Sequence, residues 1–281
     1  MQMRNILFTS VLLALVIIVR GQEFSNPDLQ SLLDTERAFS KMSKEESTRA
    51  AFLANVTDKS IGFAAGEIKS EKANWENTSA GNEWLHWAPV FIDVSASGDF
   101  GYTTGPWNYR ADKQSVKADG FGQYVTIWEK QPDGLWKILL DVGVNHGESE
   151  VGGKRVKTSA IKPGVEKSKR NALKEMLQAE EKLIACLKDK GIQAYEPWLS
   201  KETKFFREGS LPLTRIPEED LSGLSIAIVG CATAASGDMG YTYGTITAPS
   251  QPGVQPRKQN FVRIWKKENG KAWKVVVDLV S

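Results

Sequence analysis

The side chains of this 281-residue chain that could do chemistry are few and unevenly placed. Both histidines, His86 and His146, and six of the nine tryptophans precede Glu150, and Trp84, His86 and Trp87 fall within four positions. An imidazole beside aromatic rings can act as a general base or as a hydrogen-bond donor to a flat apolar ligand. The same cluster could equally form a tryptophan-rich core edge in which His86 is merely hydrogen-bonded. Tyr102, Trp107, Tyr109 and Tyr124 could line a shared cavity with Trp84 and Trp87. Two carboxylates join the candidates. Glu36 sits on an otherwise apolar helical stripe, where a carboxylate must be paired, hydrogen-bonded or protonated. Asp141 ends an apolar run, where it could reach a pocket mouth or accept from loop N–H groups. The candidate proton-transfer groups are therefore His86, Asp141 and Glu36, with His146, next to a glycine-containing stretch, a weaker fourth.

Other chemistries lack their residues. Two histidines sixty positions apart, with no cysteine before Cys186, make no zinc constellation. No glycine-rich phosphate loop or nucleophile elbow occurs, and no cofactor or metal is expected. Cys186 and Cys231 stand opposite Met42 and Ile92 when the two halves are aligned, which points to core positions, with a disulfide as the alternative in an oxidising compartment.

The elements that must position these groups occur twice. Residues 96–105 (ASGDFGYTTG) are answered by 235–244 (ASGDMGYTYG) at an offset of 139, and 125–130 with 134–141 are answered by 262–267 with 271–278 at an offset of 137. Two ordered blocks at nearly one offset mark a duplication, with units at residues 28–146 and 171–281. Residues 147–170 between them hold six Lys or Arg before Arg170, along with Gly147, Gly152, Gly153 and Pro163, which is linker composition. Each unit begins with an amphipathic helix. In the first, Leu29, Leu32, Leu33, Glu36, Phe39 and Ser43 share a face; in the second, Leu173, Met176, Leu177, Glu180, Leu183, Ile184 and Leu187 do. Strand-like runs follow, joined at Ser97-Gly98-Asp99, at Pro132-Asp133-Gly134 and, in the second unit, at Asn269-Gly270. Helices followed by an antiparallel sheet give an α+β domain. Glu36, Asp141, Trp128 and Trp136 recur as Glu180, Asp278, Trp265 and Trp273, whereas Trp84, His86 and Trp87 meet Gly223, Ser225 and Ile226. Residues found in both units fit architecture, and those of the first unit alone are better candidates for function.

The order of helix, Leu85-His-Trp-Ala-Pro-Val90, the Gly98-Asp99 hairpin, Ile127-Trp128, Trp136-Lys-Ile138 and Asp141 resembles the nuclear transport factor 2-like superfamily, and within it the exported SnoaL-like proteins of unknown function. The resemblance implies tandem cone-shaped, cystatin-like domains, each a curved antiparallel sheet on N-terminal helices. Its cavity hosts isomerases, cyclases and hydrolases as well as plain binding modules, so the fold alone settles little about function.

Residues 1–21 read as a secretory signal: Ile6 to Val19 is a fourteen-residue run broken only by Thr9 and Ser10, shorter than a membrane span requires. A secreted or periplasmic chain is expected, with no membrane attachment after cleavage. Removing residues 1–21 takes Arg4 and Arg20 and no acid, so the 36 basic residues fall to 34 against 34 acidic. That balance argues against a nucleic-acid partner. The expected function is non-covalent binding of a small apolar or aromatic molecule in the first unit. The alternatives are an acid–base enzyme of the isomerase, cyclase or hydrolase type, and a structural module in which the two units pack as a pseudo-dimer.

Overall fold

A computed structural model describes residues 23–281 apart from 80, 162–168, 220–222, 250–256, 269 and 271. The expected signal, the middle of the basic linker and Asn269 lie outside the described residues. Helix α1 (Pro27–Glu45) starts where the Asn26 side chain accepts from the N–H groups of Asp28 and Leu29, with Pro27 in the first turn. Its buried face contains all six stripe residues from Leu29 to Ser43. After α2 (Thr48–Asn55) come β1 (Ile61–Ala64), β2 (Glu67–Ser70) and α3 (Glu71–Asn77). The strands β3 (Trp84–Trp87), β4 (Phe91–Val94), β5 (Phe100–Arg110), β6 (Gly120–Lys130) and β7 (Trp136–Asn145) complete the first sheet. Its order is β2-β1-β7-β6-β5-β3, with β4 also on β5. The second half runs α4 (Lys169–Lys190), a 3₁₀ segment (Gly191–Trp198), β8 (Leu199–Arg207), β9 (Ser225–Thr233), β10 (Met239–Thr247), β11 (Lys258–Glu268) and β12 (Ala272–Val280). These strands form a second sheet in the order β8-β12-β11-β10-β9. β1 lies parallel to β7, and β8 parallel to β12; the other pairings are antiparallel. The architecture is α+β, with helices leading into antiparallel sheets that bulges bend.

Three apolar clusters hold the layers together. α1 and α2 cover one face of the first sheet through Leu32, Leu33, Phe39 and Phe52 against Trp128 and Ile138. α4 and the 3₁₀ segment cover one face of the second through Met176, Leu183 and Tyr195 against Phe261 and Trp265. The remaining faces bury each other, with Val125, Ile127, Val142 and Val144 of the first sheet in one cluster with Val262, Ile264, Val277 and Leu279 of the second. Covered on both faces, the central strands β6 and β11 are buried along most of their length and lose their alternation, whereas the edge strand β9 keeps exposed positions.

Polar contacts join the sheets at the repeated hairpin turns, and they are reciprocal. The Ala235 N–H donates to Asp99 Oδ2 at 3.0 Å, and the Ala96 N–H to Asp238 Oδ2 at 3.1 Å. The Ser236 N–H donates to Ser97 Oγ at 3.0 Å, and the Ser97 N–H to Ser236 Oγ at 3.1 Å. One contact is not duplicated: Lys266 Nζ meets Asp93 Oδ2 at 2.5 Å, and both residues are buried. Part of the linker is docked. The Ile92 N–H donates to the Lys157 carbonyl, the Lys157 N–H donates to that of Val90, and Val156 is buried. Among the described residues no helix is long and apolar enough to cross a membrane.

Candidate binding site

A cavity of about 480 Å³ opens between α1–α3 and the concave face of the first sheet. Phe39, Phe52, Trp75, Trp87, Trp107 and Tyr124 supply its aromatic walls, and Glu71, Thr126 and Asp141 its polar groups. Local geometry explains each placement. On β3, alternation turns Leu85 and Trp87 toward the cavity and Trp84 and His86 away from it. Trp107 pairs directly with Gly122, and a Cβ on Gly122 would come within 2.3 Å of the Trp107 ring, so the missing side chain lets the indole lie across β6. Asp141 depends on a bulge. Ile127 pairs with Leu140 and Trp128 with Ile138, leaving Leu139 as the extra residue. The bulge reverses the parity of β7, so that Asp141 faces Thr126 and the cavity while Leu140 turns to the second sheet. Gly62 pairs with Asp141, and a Cβ there would overlap the Glu71 carboxylate at 1.7 Å. The bare glycine thus seats Glu71 beside Asp141.

Three carboxyl groups share this corner. Glu36, beneath the wall, accepts from Trp87 Nε1 and from Thr103 Oγ1, each at 2.5 Å, and Thr103 in turn accepts from Trp128 Nε1 at 3.1 Å. Burial pushes Glu36 up to about 7 against those hydrogen bonds, and the nearby Asp141 adds to the rise. Glu71 is also pushed up to about 7, by burial and then by the charge of Asp141, although Trp75 Nε1 donates to it at 2.7 Å. Asp141 rises to about 6 through burial, opposed by the Thr126 hydroxyl at 2.5 Å. The Tyr124 hydroxyl is buried beside Glu36 and Thr103, and burial, then the charges of Glu36 and Asp141, push it up. None of the described residues lining the cavity is Lys, Arg or His.

Of the residues singled out in the sequence, Trp87, Trp107, Tyr109, Tyr124 and Asp141 line this cavity, and Glu36 lies under it. Trp84 packs outside against the Arg110 guanidinium, 4.3 Å from its ring centre. Tyr102 faces the second sheet in the shared cluster. His86 lies on the outer side of β3 against Trp84; partial burial, then Lys44 and Arg110, lower its imidazole to about 4. His146, beyond β7, contacts the Gly147 carbonyl through Nδ1. Cys186 and Cys231 are free thiols packed against the second core. The sequence reading does not single out Glu71, Trp75 or Thr126. Thr126 was the readable one, because at the offset of 137 it faces Arg263.

That difference separates the halves. Glu180 keeps the first unit's threonine contact, accepting from Thr242 Oγ1 at 2.8 Å, and takes its indole donor from a different strand, Trp265 Nε1 at 3.1 Å. Its third partner is Arg263, whose Nη1 meets Glu180 and whose Nε lies 2.6 Å from Asp278. Tyr195 donates to Asp278 at 2.5 Å, and Arg207 Nη2 adds an ion pair at 2.6 Å. Burial works against the charge on Asp278, but Arg207 and Arg263 hold it below the usual carboxylate range. Where the second unit buries a guanidinium between two carboxylates, the first has a threonine and a cavity.

No protein-family model and no curated protein matches the chain. Solved structures do resemble it. A protein of unknown function with a cystatin-like fold from Nostoc punctiforme is 15% identical, with 42% of this chain and 91% of that one covered and a TM-score of 0.34. A ketosteroid isomerase-like protein from Erwinia carotovora atroseptica is 13% identical over 44% and 99% of the two chains, at a TM-score of 0.33. A nuclear transport factor 2-like protein of unknown function from Pseudomonas putida is 13% identical over 48% and 96%, at 0.34. Among the described residues no group of three His, Cys, Asp or Glu is placed to hold a metal ion.

Proposed function

We propose that this chain is an exported tandem protein whose first unit, residues 28–146, binds a small, largely apolar or aromatic molecule, while the second, residues 171–281, serves as its built-in partner. The observation that carries the reading is the aromatic-walled cavity with Glu71, Thr126 and Asp141 on its wall. The pseudo-dimer reading is supported by the reciprocal turn contacts, which pair each residue with the repeat of its partner as an isologous interface does. Export rests on the apolar run of residues 1–21.

The test is to titrate residues 22–281 with a panel of small aromatic compounds, reading tryptophan fluorescence and thermal stability. A bound compound should quench the cavity tryptophans in the wild type and not in Thr126→Arg, which fills the cavity as Arg263 fills its counterpart. Binding that survives Thr126→Arg would place the ligand elsewhere and sink the proposal. A second reading, general acid–base catalysis, is favoured by Asp141 and Glu71, which face one cavity and ionise near 6 and 7. It predicts turnover of a bound compound that Asp141→Asn abolishes while binding persists.

A further inference from the structure

We infer that the ligand of the first unit's cavity is an organic cation, an aromatic or alkyl body carrying an amidinium, guanidinium or ammonium group that sits between Glu71 and Asp141. The inference rests on the binding proposal above and specifies its chemistry. Three independent observations support it.

The first is the comparison within the chain. Glu180 and Asp278 repeat Glu36 and Asp141, and the group that joins them is the Arg263 guanidinium. The position is aligned with Thr126 at the offset that relates the two strand pairs, and Arg263 faces Asp278 across its ladder as Thr126 faces Asp141. Even the bulge is repeated, with Val276 the extra residue where the first sheet has Leu139. The second unit therefore holds, covalently, a cation against the counterpart of Asp141. In the first unit Glu36 is sealed behind Trp87, and Glu71, which has no acidic counterpart, stands with Asp141 on the wall of an open space.

The second is the charge of the cavity itself. Glu71 from α3 and Asp141 from β7 line it, Glu36 from α1 lies behind Trp87, and the only other ionisable side chains on its described walls are Tyr109 and Tyr124. Acids crowded together without a counter-ion are held partly protonated at neutral pH, and a bound cation favours their ionised form. An anionic ligand would meet the same charges as repulsion.

The third is the wall. Trp75, Trp87, Trp107, Phe39 and Phe52 present ring faces and edges to the cavity, and a desolvated cation is attracted to indole faces. A neutral hydrocarbon would use the rings and leave the carboxylates unsatisfied.

The experiment compares three nearly isosteric probes at pH 7: benzamidine, benzamide and benzoate, titrated calorimetrically into residues 22–281. Benzamidine should bind at least about tenfold more tightly than benzamide, with no detectable benzoate binding. It should also release protons, seen as heats that change with the ionisation enthalpy of the buffer. Asp141→Asn should bring benzamidine toward the benzamide affinity, and Glu71→Gln, a milder change on the cavity rim, should do so in part. Both variants are compared with wild type by circular dichroism, and competition of benzamidine with an aromatic probe in wild type supplies a readout independent of either. Binding of benzamide or benzoate as tightly as benzamidine, lost in Thr126→Arg, overturns the cation and leaves the binding proposal standing. No binding by any of the three overturns the cation inference, and it removes the binding proposal as well if the wider aromatic panel also fails.

Discussion

Glu36 shows how a residue can be legible in sequence as an anomaly without its role being legible. Its place on the apolar stripe of α1 required a partner, and the structure supplies two donors, the Trp87 indole and the Thr103 hydroxyl. Neither could be found from spacing, because they are brought in from β3 and β5, 51 and 67 positions away. Trp87 and His86 illustrate the opposite failure: they are adjacent in sequence and were grouped as one cluster, but strand alternation sends them to opposite faces. The one-residue difference between Thr126 and Arg263 was written plainly in the repeat, and reading it required knowing that both positions face inward. Replacing Glu36 by Ala would leave the Trp87 and Thr103 donors buried without an acceptor, at about 1–3 kcal/mol for each, partly offset by removing a buried carboxyl. Chemical denaturation should therefore find Glu36→Ala destabilised by about 2–4 kcal/mol and Glu36→Gln, which keeps an acceptor, by clearly less. Equal losses in the two variants would mean that the hydrogen bonds are not what Glu36 contributes.

At the scale of elements, hairpins with glycine turns were readable because their backbone demands are local. Gly98, Gly134 and Gly270 adopt positive φ at the turns expected. The bulge in β7 was not readable. Leu139 is one apolar residue among several, and no turn signal marks where the strand changes parity, so Asp141 could be placed at the end of a strand but not on a face. The short helix α3 was equally hidden, its seven residues being too few for periodicity to speak. Yet α3 carries Glu71 and Trp75, and few of its supports are apolar: the Ser70 cap accepts from the Ala73 N–H at 3.2 Å, Trp75 stacks on Phe52 at 4.3 Å, Lys72 pairs with Asp58 at 2.6 Å, and Arg49 donates to the Thr78 carbonyl at 2.7 Å. Loss of such a cap costs about 1 kcal/mol, a large share of what a single short helix has to lose. Ser70→Ala should accordingly raise amide hydrogen exchange across residues 71–77 several-fold while moving the global denaturation midpoint little. A large fall in global stability with no local change in exchange would show that α3 unfolds only with the whole protein.

For the whole molecule, the buried face between the sheets ties the halves into one stability, and the Asp93–Lys266 pair adds an asymmetric lock to it. Removing one partner leaves a buried charge alone, typically at about 3–5 kcal/mol, so Lys266→Met should destabilise strongly and Asp93→Leu with Lys266→Met should recover most of the loss. A double variant as unstable as the single one would mean that shape rather than charge is at stake. The larger consequence concerns pH. Glu36 and Glu71 ionise near 7, and Asp141 and Asp93 near 6, all raised chiefly by burial. Each therefore binds its proton more tightly folded than unfolded, where carboxyl groups ionise at roughly 4. Their contribution to stability is complete below that unfolded value and is lost as pH rises through the folded values. Three groups oppose the trend, one of them the exposed Asp58, which its hydrogen bond from Lys72 holds low and which matters only in acid. His86, lowered to about 4 by partial burial and then by Lys44 and Arg110, favours the folded state as pH rises toward the unfolded histidine value of roughly 6.5 and then stops contributing. Asp278, held low by Arg207 and Arg263 despite its burial, matters only in acid. Four raised carboxyls outweigh one half-buried imidazole, and above that histidine value nothing opposes them. The melting temperature should thus peak on the mildly acidic side and fall between pH 6 and 8, an interval set by those folded ionisation points. The fall should be shallower in Asp141→Asn, because that change removes one raised group and relieves the charge that lifts Glu36 and Glu71. A profile that is flat or rising from pH 6 to 8 would overturn the raised ionisation of these buried acids.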